Sequence, residues 1–415
     1  MSALFYNLGI YFYQFLVFVA SPFNKKAKQF YQGRKGLFLK IEKDLQDESR
    51  PVIWVHAASL GEFEQGRPVI EAIKEKKGDI AIVLTFFSPS GYEVRKNYEG
   101  ADYIYYLPSD TPKNAKRFLE LVKPKVALLI KYEFWRNYIE KCRVSGVYLA
   151  SVSAIFRKEQ LYFQSHSTFY ADILKAIDYF FVQNELSGKL LESIDVDRFS
   201  VVGDTRFDRV QKIVEDAKDI LIAERFSTPG KTFVLGSIWT SDMDVIADYL
   251  NSGKLRYILA PHNIKESDIT SIEKYLTVPS IRYSKAEGVE DLSQYQVLII
   301  DNMGMLSSLY RYGFGAYIGG AFRGALHNTL EAATWGKPVL FGKHKNNSKF
   351  HEAIELIQHS AALELDSKAS FEQVMDRFLS SEEEVTKMGD AAKAHVEQNL
   401  GATAAIVDHV LTKIG

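Results

Sequence analysis

GAYIGGAFRGALHNTLEAATWGKPVLFG, residues 315–342, packs a strand end, a glycine-rich turn, a helix start and another strand into 28 residues. Gly319, Gly320 and Gly324 let the backbone turn sharply and approach a ligand without a Cβ in the way. A helix that starts after such a turn points free N–H groups and its positive dipole end back at it, which suits a phosphorylated ligand. Asn328-Thr329-Leu330-Glu331 also spells a capping box, with Asn328 as N-cap and Glu331 bonding back to it. Glu331 can equally accept hydrogen bonds from ribose hydroxyls and Asn328 can meet a sugar or phosphate, and the two roles are compatible.

Outward from this stretch, the second half of the chain repeats the same grammar. TFVLGS, RYILAP, VLIID, GAYIGG, KPVLFG and AALEL read as strands, separated by helical patterns at 243–251, 264–275 and 305–313. Gly236-Ser237-Ile238-Trp239-Thr240-Ser241 follows one strand, and Ser237 can donate to a phosphate oxygen while Thr240 or Ser241 caps the helix. Pro261-His262-Asn263 ends the next strand, and Asp301-Asn302-Met303-Gly304-Met305 ends another. Four strand ends carrying small, hydroxyl or amide groups are what a nucleotide lying across a switch-point crevice requires. A P-loop and a GxGxxG fingerprint are both missing, which disfavours ATP hydrolysis and hydride transfer. No HExxH or metal-spaced histidine cluster occurs either.

The first half alternates in the same way from Pro51 onward: VIWVHAA, IAIVLTFFS, YIYYLP, VALLI, VYLASVSA, YFFVQ and FSVVGD with amphipathic stretches between them. Such alternation predicts a parallel sheet covered on both faces, with function at the carboxyl ends of the strands. At 415 residues the chain exceeds one ordinary core. The expected division is a membrane-anchor helix at 1–24, a Rossmann-like domain at 25–210, a linker at 211–230 ending in Ser227-Thr228-Pro229-Gly230, and a second Rossmann-like domain at 231–415. The last helical stretches, 371–414, are expected to reach back over the first domain. A hydrophobic content of 47% and a net charge of −1 describe a globular chain without the basic face that nucleic-acid binding needs. The single Cys142 excludes an intrachain disulfide.

His56-Ala57-Ala58-Ser59-Leu60-Gly61-Glu62 lies between the first strand and its helix. Small residues there admit a substrate, and the Glu62 carboxylate can take a proton from an incoming hydroxyl. Glu62 also suits the positive helix N-terminus, a stabilisation of ~0.3–1 kcal/mol.

From Ala3 to Asn24 the chain carries no charge and is rich in Leu, Phe, Ile and Val. A bilayer span needs roughly 20 mostly apolar residues, whereas Asn7, Tyr11, Tyr13, Gln14 and Ser21 suit an interfacial helix as well. Spanning, lying flat and packing on the protein's own body all remain open. Lys25, Lys26, Lys28, Arg34, Lys35, Lys40 and Lys43 follow, a flank that stays cytoplasmic and favours anionic lipid. A cleaved signal peptide would place these charges before the apolar run.

These segments together resemble the Kdo (3-deoxy-D-manno-octulosonic acid) transferases of glycosyltransferase family 30. The likeness rests on HAASLGEFEQGRPVI, Tyr132-Glu133-Phe134-Trp135, Gly203-Asp204-Thr205-Arg206-Phe207-Asp208, GSIWTSD, DNMGML and HNTLEAATWGKPVLFG. The resemblance implies a GT-B fold of two Rossmann-like domains facing across a cleft. It also implies inverting transfer of Kdo from CMP-Kdo to the glucosamine 6-hydroxyl of a lipid A precursor (lipid IVA), at the cytoplasmic face of the inner membrane and without a bound metal. Carried onto this chain, Glu62 becomes the general base. Ser237, Pro261, His262, Met303, Gly304, Asn328 and Glu331 become donor contacts. Where the family shows Pro-Arg-His this chain has Pro261-His262-Asn263, so His262 or Arg323 is expected to replace the phosphate-binding arginine. A nucleotide-sugar epimerase of the same fold is the alternative, and it leaves the apolar N-terminus without a use.

Overall fold

The computed structural model describes residues 3–164, 168–228 and 230–414. Met1, Ser2, Pro229 and Gly415, which belong to the expected anchor, linker and second domain, lie outside them. Two compact units are present: Met1–Arg209 together with Leu400–Gly415, and Val210–Asn399.

The first unit holds β1 (Val52–Ala57), β2 (Ala81–Phe86), β3 (Tyr103–Tyr106), β4 (Val126–Ile130), β5 (Tyr148–Ala154), β6 (Tyr179–Val182) and β7 (Phe199–Val201). All are parallel, in the order β3-β2-β1-β4-β5-β6-β7. β1, β2 and β4 are buried along their whole length, which is why they read as continuous apolar runs. The direction of winding reverses between β1 and β4, so ligands belong beyond the carboxyl ends of these two strands.

The second unit holds β8 (Thr232–Ile238), β9 (Arg256–Pro261), β10 (Ser280–Arg282), β11 (Val297–Ile299), β12 (Ala316–Ile318), β13 (Val339–Gly342) and β14 (Ala362–Leu365). Their order is β10-β11-β9-β8-β12-β13-β14, again parallel, with the reversal between β8 and β12. Among the described strands, only the three-residue edge strand β10 has no counterpart in the sequence reading. It is too short to show a period.

Residues 211–230, expected as a linker, are largely helical: Thr205–Glu215 and Leu221–Ser227 are helices, and Ala223 and Phe226 are buried. The helices Lys368–Ser380 and Glu382–Gln398 stay with the second unit, so only the last segment returns to the first. There the N–H groups of Gly401 and Thr403 donate to the Asp208 carboxylate at 2.7 Å each. Ile406, Val407 and Val410 of helix Ala402–Leu411 join the buried cluster that includes Ile53, Ile70 and Ile73.

The N-terminal helix Ala3–Ala20 has no buried residue and a mean hydropathy of 1.5, long and apolar enough to cross a membrane. Its two sides differ. Tyr6 donates to Asp110 at 2.6 Å, Asn7 accepts from Asn137 at 2.9 Å, and the Tyr13 ring lies against Phe30 and Phe87. Leu4, Phe5, Leu8, Phe12, Phe15 and Val19 are exposed.

Candidate functional site

Each switch point carries a polar cluster. In the first unit, Ser59 is the extended N-cap of helix Leu60–Lys76, and its side chain makes no capping bond. Glu62 takes that task from inside the helix: its Oε2 accepts the Ala58 N–H at 2.6 Å. Burial, and then the negative charge of Glu133, push the Glu62 carboxyl up to about 7, against the pull of the Ala58 and Ser59 amides and Lys131. The capping bond and the raised pKa therefore belong to one side chain.

Glu133 reaches Glu62 from the end of β4, the strand beside β1. Trp135 Nε1 donates to Glu133 Oε2 at 3.0 Å and to His56 Nε2 at 3.2 Å, and His56 Nε2 stands 3.8 Å from that same carboxylate oxygen. The fully buried His56 places its Nδ1 2.9 Å from Thr85 Oγ1 and 3.1 Å from Thr85 O. With Nε2 accepting from Trp135, the Nδ1 proton points at Thr85. The sequence showed Glu133 only as part of a motif. Its place beside Glu62 follows from the strand order, which no local pattern encodes.

One turn beyond Glu62, Gln65 donates to both oxygens of the buried Asp204, at 3.1 and 3.0 Å. Arg206 binds the same carboxylate through Nε and Nη2, at 3.0 and 2.8 Å. Burial opposes ionisation of Asp204, but the charge and hydrogen bonds of Arg206 hold it below the usual carboxylate value. The GDTRFD segment is thus fastened to the helix that carries Glu62.

In the second unit, Asp242 ties two strand ends together. Its carboxylate accepts from Trp239 N at 2.9 Å, from Gly320 N at 3.1 Å and from the Tyr317 hydroxyl at 3.0 Å. A Cβ at Gly319 would lie 2.4 Å from Ser237 O, and Gly320 has φ +90°, so both positions require glycine. Ser237 itself is left-handed at φ +56°, a strained backbone for a residue with a side chain.

Four side chains stack above this turn. The His262 ring lies 4.1 Å from Trp239 at 22°, His327 lies 4.5 Å from His262, and Arg323 Cζ sits 4.2 Å from the Trp239 ring. Trp239 thus packs against both the His262 ring and the Arg323 guanidinium. Burial and the Arg323 charge lower the pKa of His262; burial and His262 lower that of His327 to about 4. At neutral pH the two imidazoles are therefore uncharged and Arg323 is the cation of the stack. The structure brings Pro261-His262 and Arg323 into one place, whereas Met303 and Gly304 follow β11, with Met303 exposed and Gly304 in a left-handed turn.

The helix read as starting at Asn328 needs correction. It spans only Leu330–Ala333 with Thr329 at the N-cap, because left-handed Gly336 and β13 follow too closely for a longer one. Asn328 Oδ1 accepts from Leu330 N, and its Nδ2 donates to Glu331 Oε1, each at 3.1 Å. A single turn has little dipole, so the helix field expected at this turn is weak. Among the described residues, no group of three or more His, Cys, Asp or Glu is arranged for a metal ion.

Residues 31–209 match the family model for 3-deoxy-D-manno-octulosonic-acid transferase. The chain is 27% identical over 351 residues to the 3-deoxy-D-manno-octulosonic acid transferase of Aquifex aeolicus, covering 83% of this chain and 90% of that one. With the enzyme of the same name from Haemophilus influenzae it shares 24% over 387 residues, 86% of each chain. Solved structures similar in fold include UDP-GlcNAc 2-epimerase from Neisseria meningitidis, with TM-score 0.58 and 16% identity over 87% of this chain and 100% of that one. MurG from Acinetobacter baumannii gives TM-score 0.54 and 12% identity over 88% and 100%. The fold is GT-B, and the resemblance read in the motifs holds across most of the chain.

Proposed function

We propose that this chain, a relative of the Kdo transferases, moves Kdo from CMP-Kdo to the glucosamine 6-hydroxyl of lipid IVA. The observation that carries the reading is Glu62: a half-buried carboxyl in the first turn of the helix that follows switch-point strand β1, with a pKa of about 7 where a general base is most useful. The hydroxyl oxygen forms a bond to the Kdo anomeric carbon on the side opposite CMP. The bond from that carbon to the phosphate oxygen breaks with its electron pair going to CMP, and the hydroxyl proton passes to Glu62. Attack from the opposite side inverts the anomeric centre.

In this reading the second unit holds the donor. Ser237, Pro261, His262, Met303, Gly304, Asn328 and Glu331 surround the nucleotide, and Arg323 supplies the positive charge that the Pro261-His262-Asn263 segment lacks. Trp239 keeps the guanidinium flat, so less freedom is lost when it binds an oxyanion.

The N-terminal helix lies in the membrane interface. Spanning would pull Tyr6, Asn7 and Tyr13 off partners in the first unit, whereas lying flat keeps those contacts and buries Leu4, Phe5, Leu8, Phe12, Phe15 and Val19 in lipid. With the basic flank, this sets the enzyme on the cytoplasmic face of the inner membrane, where its acceptor resides.

The test is mass spectrometry of products from purified protein, CMP-Kdo and tetraacylated acceptor. A mass gain of one or more Kdo residues is expected. An unchanged acceptor, or a sugar nucleotide altered without acceptor as an epimerase would give, overturns the reading.

A further inference from the structure

The N-terminal helix does not close completely on the body. Between it, helix Lys25–Gln32 and the turn after β2 runs a groove of about 450 Å³, lined by Tyr13, Leu16, Val17, Phe30, Phe87 and Pro89. That volume lies in the range of small-ligand sites, ~300–1,000 Å³. Its walls are braced by Arg34, whose Nη1 donates to Phe30 O at 3.0 Å and Nη2 to Phe87 O at 2.8 Å, with Cζ 3.5 Å from the Phe30 ring centre. The groove is therefore preformed.

One wall is the N-terminal helix, and the turn that forms the opposite wall is hydrogen-bonded to the residue that Glu62 caps. Leu16 belongs both to the groove and to the exposed apolar side of the helix, so the apolar lining of the groove is continuous with that side. At the floor, Ser88 N donates to Ala58 O at 2.8 Å, and Ala58 N in turn donates to Glu62. The Phe87 ring lies 4.7 Å from Trp135, the residue that bonds Glu133. Lys26, exposed among the lining residues, complements a phosphate on the same molecule.

We infer that this groove seats an acyl chain of the acceptor glycolipid and so fixes its sugar hydroxyl beside Glu62; the inference rests on the acceptor reading above. Moving a methylene from lipid tails to this lining changes little, since both are apolar. The groove orients the acceptor rather than tightening its binding, and its effect belongs in the rate of productive encounter.

The experiment compares kcat/KM for tetraacylated and fully deacylated acceptor in detergent micelles, using the full chain and its Ala27→Trp variant, in which an indole fills the groove from helix Lys25–Gln32. Wild type is expected to prefer the acylated acceptor by roughly tenfold to a hundredfold, the scale of an orientation effect. In Ala27→Trp the preference is expected to collapse. A preference unchanged in a variant with wild-type circular dichroism overturns the inference. Independently of turnover, an acceptor brominated on its acyl chain is expected to quench a fluorescence component that Trp135→Phe removes. Equal quenching by brominated phospholipid alone would show a general lipid crevice and overturn it as well. Quenching by the acceptor without any Kdo product would retire the transferase reading and leave the groove standing.

Discussion

Glu133 faces Glu62 across the β1/β4 switch point, and its charge, added to burial, holds the Glu62 carboxyl near neutrality. A carboxylate at its ordinary value would be ionised but a feeble base, so the pair trades stability for proton affinity.

Glu62→Gln is expected to abolish transfer while leaving CMP binding within about twofold, read by steady-state rates and calorimetry. It also carries a stability signature. The folded pKa of about 7 exceeds the ordinary 4.5, so the fold favours the protonated acid. That contribution is complete at low pH and is lost as pH rises through 7. Gln keeps the acceptor for Ala58 N and never ionises, so at pH 8 the variant should be more stable than wild type by about 1–3 kcal/mol, and near pH 4 about equal. Equal melting differences at both pH values would contradict this.

Glu133→Gln removes the neighbouring charge but not the burial. The acidic limb of the kcat/KM profile, which reports Glu62, should move to lower pH by part of the Glu62 shift. A limb that stays in place would mean burial alone sets the value.

Arg323→Gln should weaken CMP by about tenfold or more, the loss of one charge-assisted hydrogen bond, and leave cytidine affinity within about twofold. Titration calorimetry of the two ligands separates phosphate from base recognition. Equal losses for both would assign Arg323 to holding Trp239 instead.

Gly319→Ala drives a methyl to within 2.4 Å of the Ser237 carbonyl oxygen, a backbone atom with no room to give. A loss of about 1–3 kcal/mol is expected in chemical denaturation, together with weakened CMP binding as the β8 and β12 ends separate. A silent substitution would show that the turn between Ser237 and Asp242 is plastic.

Both sheets were legible because buried parallel strands advertise themselves as apolar runs between amphipathic stretches. What escaped depends on strand order. Glu133 is 71 residues from Glu62, and the Arg323–Trp239–His262–His327 stack gathers side chains from three strand ends. The one-turn helix at Leu330–Ala333 misled for a local reason, since a capping pattern states where a helix starts and not how far it runs. The 211–230 segment misled in the opposite sense, because turn residues at its end drew attention from the buried Ala223 and Phe226 within it.

The return of residues 400–415 to the first unit makes the second an insertion within the first. During synthesis, the apolar patch that Ile406, Val407 and Val410 will cover stands open while some 190 further residues emerge from the ribosome. The domain made first is the one finished last, and a fragment ending near Arg209 would need that last helix supplied as a separate peptide.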